Sequence, residues 1–282
     1  MKRRVFLGTV GSAASLTTLA YATRDPSETL AVRIWFSERA AGYDGVGDRV
    51  HEYLGATLAL EHWKLEVSLG GSVSVSTEDA ARLTARGEWP TAVAAGALDR
   101  RDLEPVADAN LLVTDGGMER APTGYGIPHI ASVGGARHIA ALEPFDELAG
   151  DDARSIVPYA TPTRSIQVLV HEIGHALGLE HDHGVAFRDG EAVIPTPMLG
   201  SYVWDPAYET DRPHCGAAIP NTENRTRKLS LAFSSCARRD LATYEGGLFS
   251  DGTLQRVEPK APGGADRDTA PNDRQRDRDV LE

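Results

Sequence analysis

Apolar and polar residues alternate from Leu30 to Phe36 (LAVRIWF), and the β-branched and aromatic content predicts a first strand there. Asp48 to Trp63 (DRVHEYLGATLALEHW) carries apolar residues at helical spacing behind an Asp cap, which predicts a helix. Alternation returns in Lys64 to Leu69 (KLEVSL), a second strand. Thr77 to Leu98 is alanine-rich and reads as helix interrupted at Pro90. Ala109 to Thr114 (ANLLVT) is a buried strand that stops at the turn Asp115-Gly116-Gly117. Ile127 to Val133 (IPHIASV) predicts a strand containing Pro128; proline cannot donate to a ladder, so the strand suits an edge. His138 to Leu142 (HIAAL) predicts one more short strand.

A long helix is predicted from Pro162, a good first-turn residue behind Thr161. Ile166, Leu169, Val170, Ile173 and Leu177 form its apolar stripe. Beyond His181 the chain reads as loop until a helix beginning near Ser234 or Ser235. No internal repeat is visible. The pattern predicts an α/β (α+β) fold: an N-terminal α/β subdomain over 23–181 and a smaller, irregular C-terminal one over 182–250 with a terminal helix. Asp251 to Glu282 holds eight acids, six bases and no aromatic residue, so it cannot bury enough apolar surface to offset ordering entropy and reads as a disordered, charged tail.

The long helix also carries chemistry. His171, Glu172, His175, Gly178 and His181 stand in one run, HEIGHALGLEH. His171 and His175 are one turn apart, so both rings leave the same face. Glu172 sets a carboxylate beside a metal bound there without ligating it. Gly178 can take left-handed dihedrals at no steric cost and let the chain leave the helix. His181 can then return as third ligand, with the fourth position open to water as in catalytic zinc sites. Matching all five positions by chance occurs in roughly one chain of this length in ten thousand.

The run matches HExxHxxGxxH, and the chain resembles the metzincin clan of zinc endopeptidases. His181 is followed by Asp182, and Lys228 to Leu241 (KLSLAFSSCARRDL) resembles the FSxCS segment of the adamalysin/reprolysin-like branch. The resemblance covers roughly Leu30 to Tyr244. It implies a zincin fold with a twisted mixed sheet, an antiparallel edge strand that pairs with extended polypeptide substrate, and one catalytic Zn2+ held by His171, His175 and His181. It implies Glu172 as general base and a methionine turn, for which Met198 is the candidate, 17 residues past His181. The specificity pocket would lie between the zinc helix and Leu199 to Trp204. Some relatives use a tyrosine two residues past the methionine as an extra ligand. Here that position is Gly200, and Tyr202 lies two further on, so the expected site is three histidines plus water. Asp182 is either a residue that orients His181 or a plain turn residue. His183 is expected at the surface or behind the ligands, and His129 in strand packing or against substrate. The alternative function is a secreted, zinc-bound binding module on the same scaffold without catalysis.

Residues 1–22 (MKRRVFLGTVGSAASLTTLAYA) have a basic start, a short apolar stretch and Ala20-Tyr21-Ala22 as a cleavage site. Arg3 and Arg4 before Val5-Phe6-Leu7 resemble a twin-arginine export signal, which implies secretion; the alternative is an uncleaved membrane anchor. No stable span is expected after cleavage. Loss of Lys2, Arg3 and Arg4 takes the net charge from −12 to −15, and only four of 29 basic residues are lysine. That balance argues against nucleic-acid binding and suggests a surface adapted to salt, or an ordinary acidic secreted enzyme. Cys215 and Cys236 are the only cysteines; in an exported chain such a pair bridges, the alternative being two buried thiols.

Overall fold

A computed structural model describes residues 29–118, 123–150, 152–205, 208, 215 and 217–246. The export signal read over 1–22 and the tail over 251–282 lie outside these residues.

The first sheet has five strands: β1 (Thr29–Ser37), β2 (Lys64–Val73), β3 (Ala109–Val113), β4 (Gly124–Ile127) and β5 (Ile130–Val133). Their order is β2-β1-β3-β5-β4, all pairs parallel except β4 on β5. β1 lies between two parallel strands and is buried on both faces, so the expected alternation is not seen in its burial and Arg33 is the one polar residue of Leu30–Phe36. Val32 and Ile34 join the main core, with Val50 and Leu54 of α1 (Val46–Leu58). Trp35 points the other way, into a second core with Leu112 and with Trp89 of α3 (Glu88–Ala97), its ring 5.4 Å from that of Trp89 and edge-on. A bulge at Ile34/Trp35 makes room for it, and a side chain at Gly70 would collide with its indole.

Several elements differ from the sequence expectation. The helix expected from Asp48 begins at Val46 behind Gly45, which takes φ 76°, and ends at Leu58; Asp48 sits in its first turn. The alanine-rich stretch splits into α2 (Ala80–Ala85) and α3 at Arg86-Gly87, and Pro90 lies in the first turn of α3, where no amide donor is needed. The strand expected over Ile127–Val133 is a hairpin. Pro128 and His129 form its turn, Ile127 pairs with Ile130, and the edge strand is β4. His138–Leu142 is not a strand: α4 (Ala136–Ala140) runs through it behind Gly135, packing Ala136 and Ile139 inward. α5 (Phe145–Ala149) and β6 (Ile156–Pro158) arise where no element was expected.

The largest departure is the region expected to be loop. β7 (Ala186–Asp189) and β8 (Ala192–Pro195) form a hairpin turning at Gly190, φ 56°, and β9 (Thr226–Ser230) adds beside β8. With β6 they make a second sheet, order β6-β9-β8-β7. The strands are three to five residues long with little alternation, so periodicity does not register them. α6 (Thr161–Ala176) is the expected long helix, with Pro162 in its first turn. Its Gln167 is buried and donates to Pro195 O (3.2 Å) and Ser230 O (2.9 Å), fastening helix to second sheet. α7 (Ser235–Leu241) follows, with Ser234 as N-cap accepting from Ala237 N. Cys215 and Cys236 are joined by a disulfide with Cα atoms 6.0 Å apart. No helix among the described residues is long and apolar enough to cross a membrane.

Candidate metal centre

α6 ends as its sequence demands. Gly178 takes φ 87°, Gly178 N donates to His175 O, and Leu179 N donates back to Gly174 O. This is the paired closure that a left-handed glycine allows after a helix, and it turns the chain into the short turn His181–His183. His181 thereby comes to face His171 and His175, and one ring nitrogen from each of the three lies within 4.8 Å of the other two.

Hydrogen bonds fix which nitrogens are presented. His171 Nδ1 is 2.7 Å from Pro197 O, and His175 Nδ1 is 2.7 Å from Leu179 O. A carbonyl only accepts, so both Nδ1 atoms carry the proton and both Nε2 atoms hold lone pairs. Those two Nε2 atoms stand 3.1 Å apart. Two lone pairs with no proton between them repel unless a cation lies between. Tetrahedral zinc at 2.0–2.1 Å from each nitrogen would set them about 3.3 Å apart. The triad fits one Zn2+. Burial, and then the neighbouring His175, pushes the pKa of His171 down to about 3, and burial lowers that of His175 as well, so the rings are neutral as ligation requires.

Glu172 is buried beside them, and desolvation pushes its carboxyl up to about 8, partly opposed by a hydrogen bond from Gly126 N–H. A cation next to it would bring that value down. β4 presses directly on this part of the helix. A Cβ at Gly124 would come within 2.6 Å of Glu172 Oε1, and one at Gly126 within 2.6 Å of His175 Cβ. The two glycines are what let the edge strand pass over the centre. Met198 is buried under the helix, where a side chain at Gly174 would overlap its Sδ. Its turn, with Leu199 N and Gly200 N both donating to Thr196 O, carries the Pro197 carbonyl that holds His171.

Spacing argues against Tyr202 as a ligand, yet the short helix Gly200–Trp204 brings its ring to 6.0 Å from that of His171 and 5.1 Å from that of His181. Asp182 is exposed and pairs with His183 at 3.4 Å, while its carbonyl accepts from Cys215 N. His183 also reaches Asp240 of α7 at 3.3 Å. His129 is buried at the β4–β5 turn with Nδ1 on Asp108 O, in packing. The orienting groups missed by sequence are main-chain carbonyls at 179 and 197 and glycines at 124 and 126. Gly124 and Gly126 alternate along GYGI, the one signal that could have found them.

A cavity of about 500 Å3 opens beside the centre, bounded by α6, β9 and the Gly200–Asp205 segment.

No protein-family model matches the chain, and no curated protein does. Among solved structures, archaemetzincin from Methanopyrus kandleri is 15% identical over 77% of this chain and 95% of its own, with a TM-score of 0.37. A zinc-dependent peptidase from Methanocorpusculum labreanum is 19% identical over 53% of this chain and 82% of its own, with a TM-score of 0.32. Likenesses this slight carry no argument, and the functional reading rests on the residues themselves.

Proposed function

We propose that the protein is a secreted zinc-dependent endopeptidase of metzincin type, with one catalytic zinc ion. The observation that carries this reading is the pair of unprotonated Nε2 atoms at 3.1 Å, beside a buried carboxylate at Glu172. When bound, zinc supplies Lewis acidity, drawing the pKa of a water toward ~7 and polarising the scissile carbonyl. Glu172 accepts the proton of the attacking water on a carboxylate oxygen and gives it to the leaving amine nitrogen. Gly126 N–H steadies that carboxylate. β4, last in its sheet, offers its outer edge to an extended substrate, in register over the helix that bears Glu172. Tyr202 keeps its phenolic proton, since burial and then Glu172 raise its pKa, and can donate to the carbonyl oxygen as charge develops.

Met198 serves as the methionine turn beneath the ligands. Asp182 after the third ligand and the FSSC segment, whose Ser234 caps α7, favour the adamalysin/reprolysin-like branch. Twin-arginine export rests on Arg3 and Arg4, and a disulfide suits an oxidising compartment outside the cytoplasm. The non-catalytic binding module is disfavoured by Glu172, which binding alone does not require. Digestion of casein by the zinc-loaded protein separates the two. Cleavage abolished by a chelator and restored by zinc is expected; intact casein after prolonged incubation with zinc would leave only the binding module.

A further inference from the structure

The cavity beside the centre is lined by two arginines, Arg164 and Arg227, that peptide hydrolysis does not require. Its wall on α6 continues the stripe of His171 and Glu172 back through Val168 to Arg164. Arg164 is seven positions before His171, about 10 Å along a helix axis, a span that the arginine and a substrate side chain close only by reaching toward each other. Arg227 of β9 also lines the cavity.

Arg164 lies 5.4 Å from the Tyr159 ring, and Arg227 lies 5.7 Å from that ring and 5.3 Å from Trp204. Aromatic faces thus hold both cations, and among the described residues neither forms an ion pair. Among the described residues, Arg164 Nε is buried without an acceptor. Asp205, exposed and with a partner of its own, also lines the cavity. Two like charges sharing one ring repel, and partial burial makes Arg164 the costlier of the two. An anion between them would relieve both, and guanidinium forks match a carboxylate in particular.

We propose that this cavity is a specificity pocket for an acidic side chain, Asp or Glu, on a residue flanking the scissile bond. This rests on the peptidase reading, and the test is built so that the two can fail separately. The substrates are N-acetylated, C-amidated decapeptides with Asp or Glu, or isosteric Asn or Gln, at each position flanking the cleaved bond. One arm repeats the amide peptides with a free C-terminus.

At one flanking position the zinc-loaded enzyme should favour acid over amide by about tenfold or more in kcat/KM, the scale of a lost charged hydrogen bond. That ratio should fall toward one in Arg164→Gln and in Arg227→Gln, the latter at an exposed site where folding is least at risk. The same peptides are titrated against zinc-loaded Glu172→Gln protein by tryptophan fluorescence, Trp204 being in the pocket wall. Tighter binding of acid than amide there supports the pocket even if no peptide is cut. Equal turnover and binding of acid and amide, a preference that survives in both arginine variants, or a preference confined to peptides with a free C-terminus would overturn it.

Discussion

His171 and His175 give Nδ1 to main-chain carbonyls, and this readies Nε2 for a metal without help from an acidic neighbour. The ligands and Glu172 were legible in sequence because helical spacing fixes their face; the carbonyls at 179 and 197 were not, since every residue has one. His129 illustrates the same limit. Its ring lies buried with φ at 68°, and desolvation lowers its pKa. The unfolded chain takes up a proton near pH 6.5 while the folded protein resists. Stability from this residue is therefore complete above about pH 6.5 and is lost as the pH falls below it, by up to ~1.4 kcal/mol per unit. Asparagine tolerates the same left-handed backbone and does not titrate. Zinc-saturated His129→Asn, compared with the parent by urea unfolding from pH 7 to 5, should show the shallower acid loss. Parallel slopes would mean His129 does not resist protonation in the fold.

α6 was readable nearly whole, from Pro162 in its first turn to Gly178 beyond its end, because stripe, start and stop signals agree. The hairpin at Pro128-His129 was not, because a continuous apolar run hides a two-residue turn. The second sheet escaped for a related reason: β6 and β9 pair although α6, β7 and β8 lie between them in the chain, a pairing no local pattern records. The same region carries the disulfide, which closes 21 residues between the Met198 segment and α7. Its removal should cost about 2–4 kcal/mol, mainly by freeing the unfolded chain. Cys215→Ser/Cys236→Ser protein, unfolded in urea beside the parent under non-reducing conditions, should show that loss. Equal midpoints would mean that the bridge does not restrain the unfolded chain.

Across the whole molecule, acids outnumber bases by 41 to 29, and lysine is scarce. Self-repulsion at low salt should weaken the fold, and screening should relieve it as the Debye length falls to ~3 Å near 1 M. The thermal midpoint should rise with sodium chloride into the molar range; a flat or falling midpoint would assign the charge to solubility alone. The central claim is a division of labour, in which three histidines hold zinc and one carboxylate moves the proton. Zinc content and peptide turnover, measured together on purified Glu172→Gln and His181→Ala proteins, test it most directly. Glu172→Gln should keep one zinc per chain and lose about 10²-fold or more in turnover, since the amide cannot take the water's proton. His181→Ala should lose zinc and activity together. Near-parent turnover in Glu172→Gln, or full zinc in His181→Ala, would contradict the account.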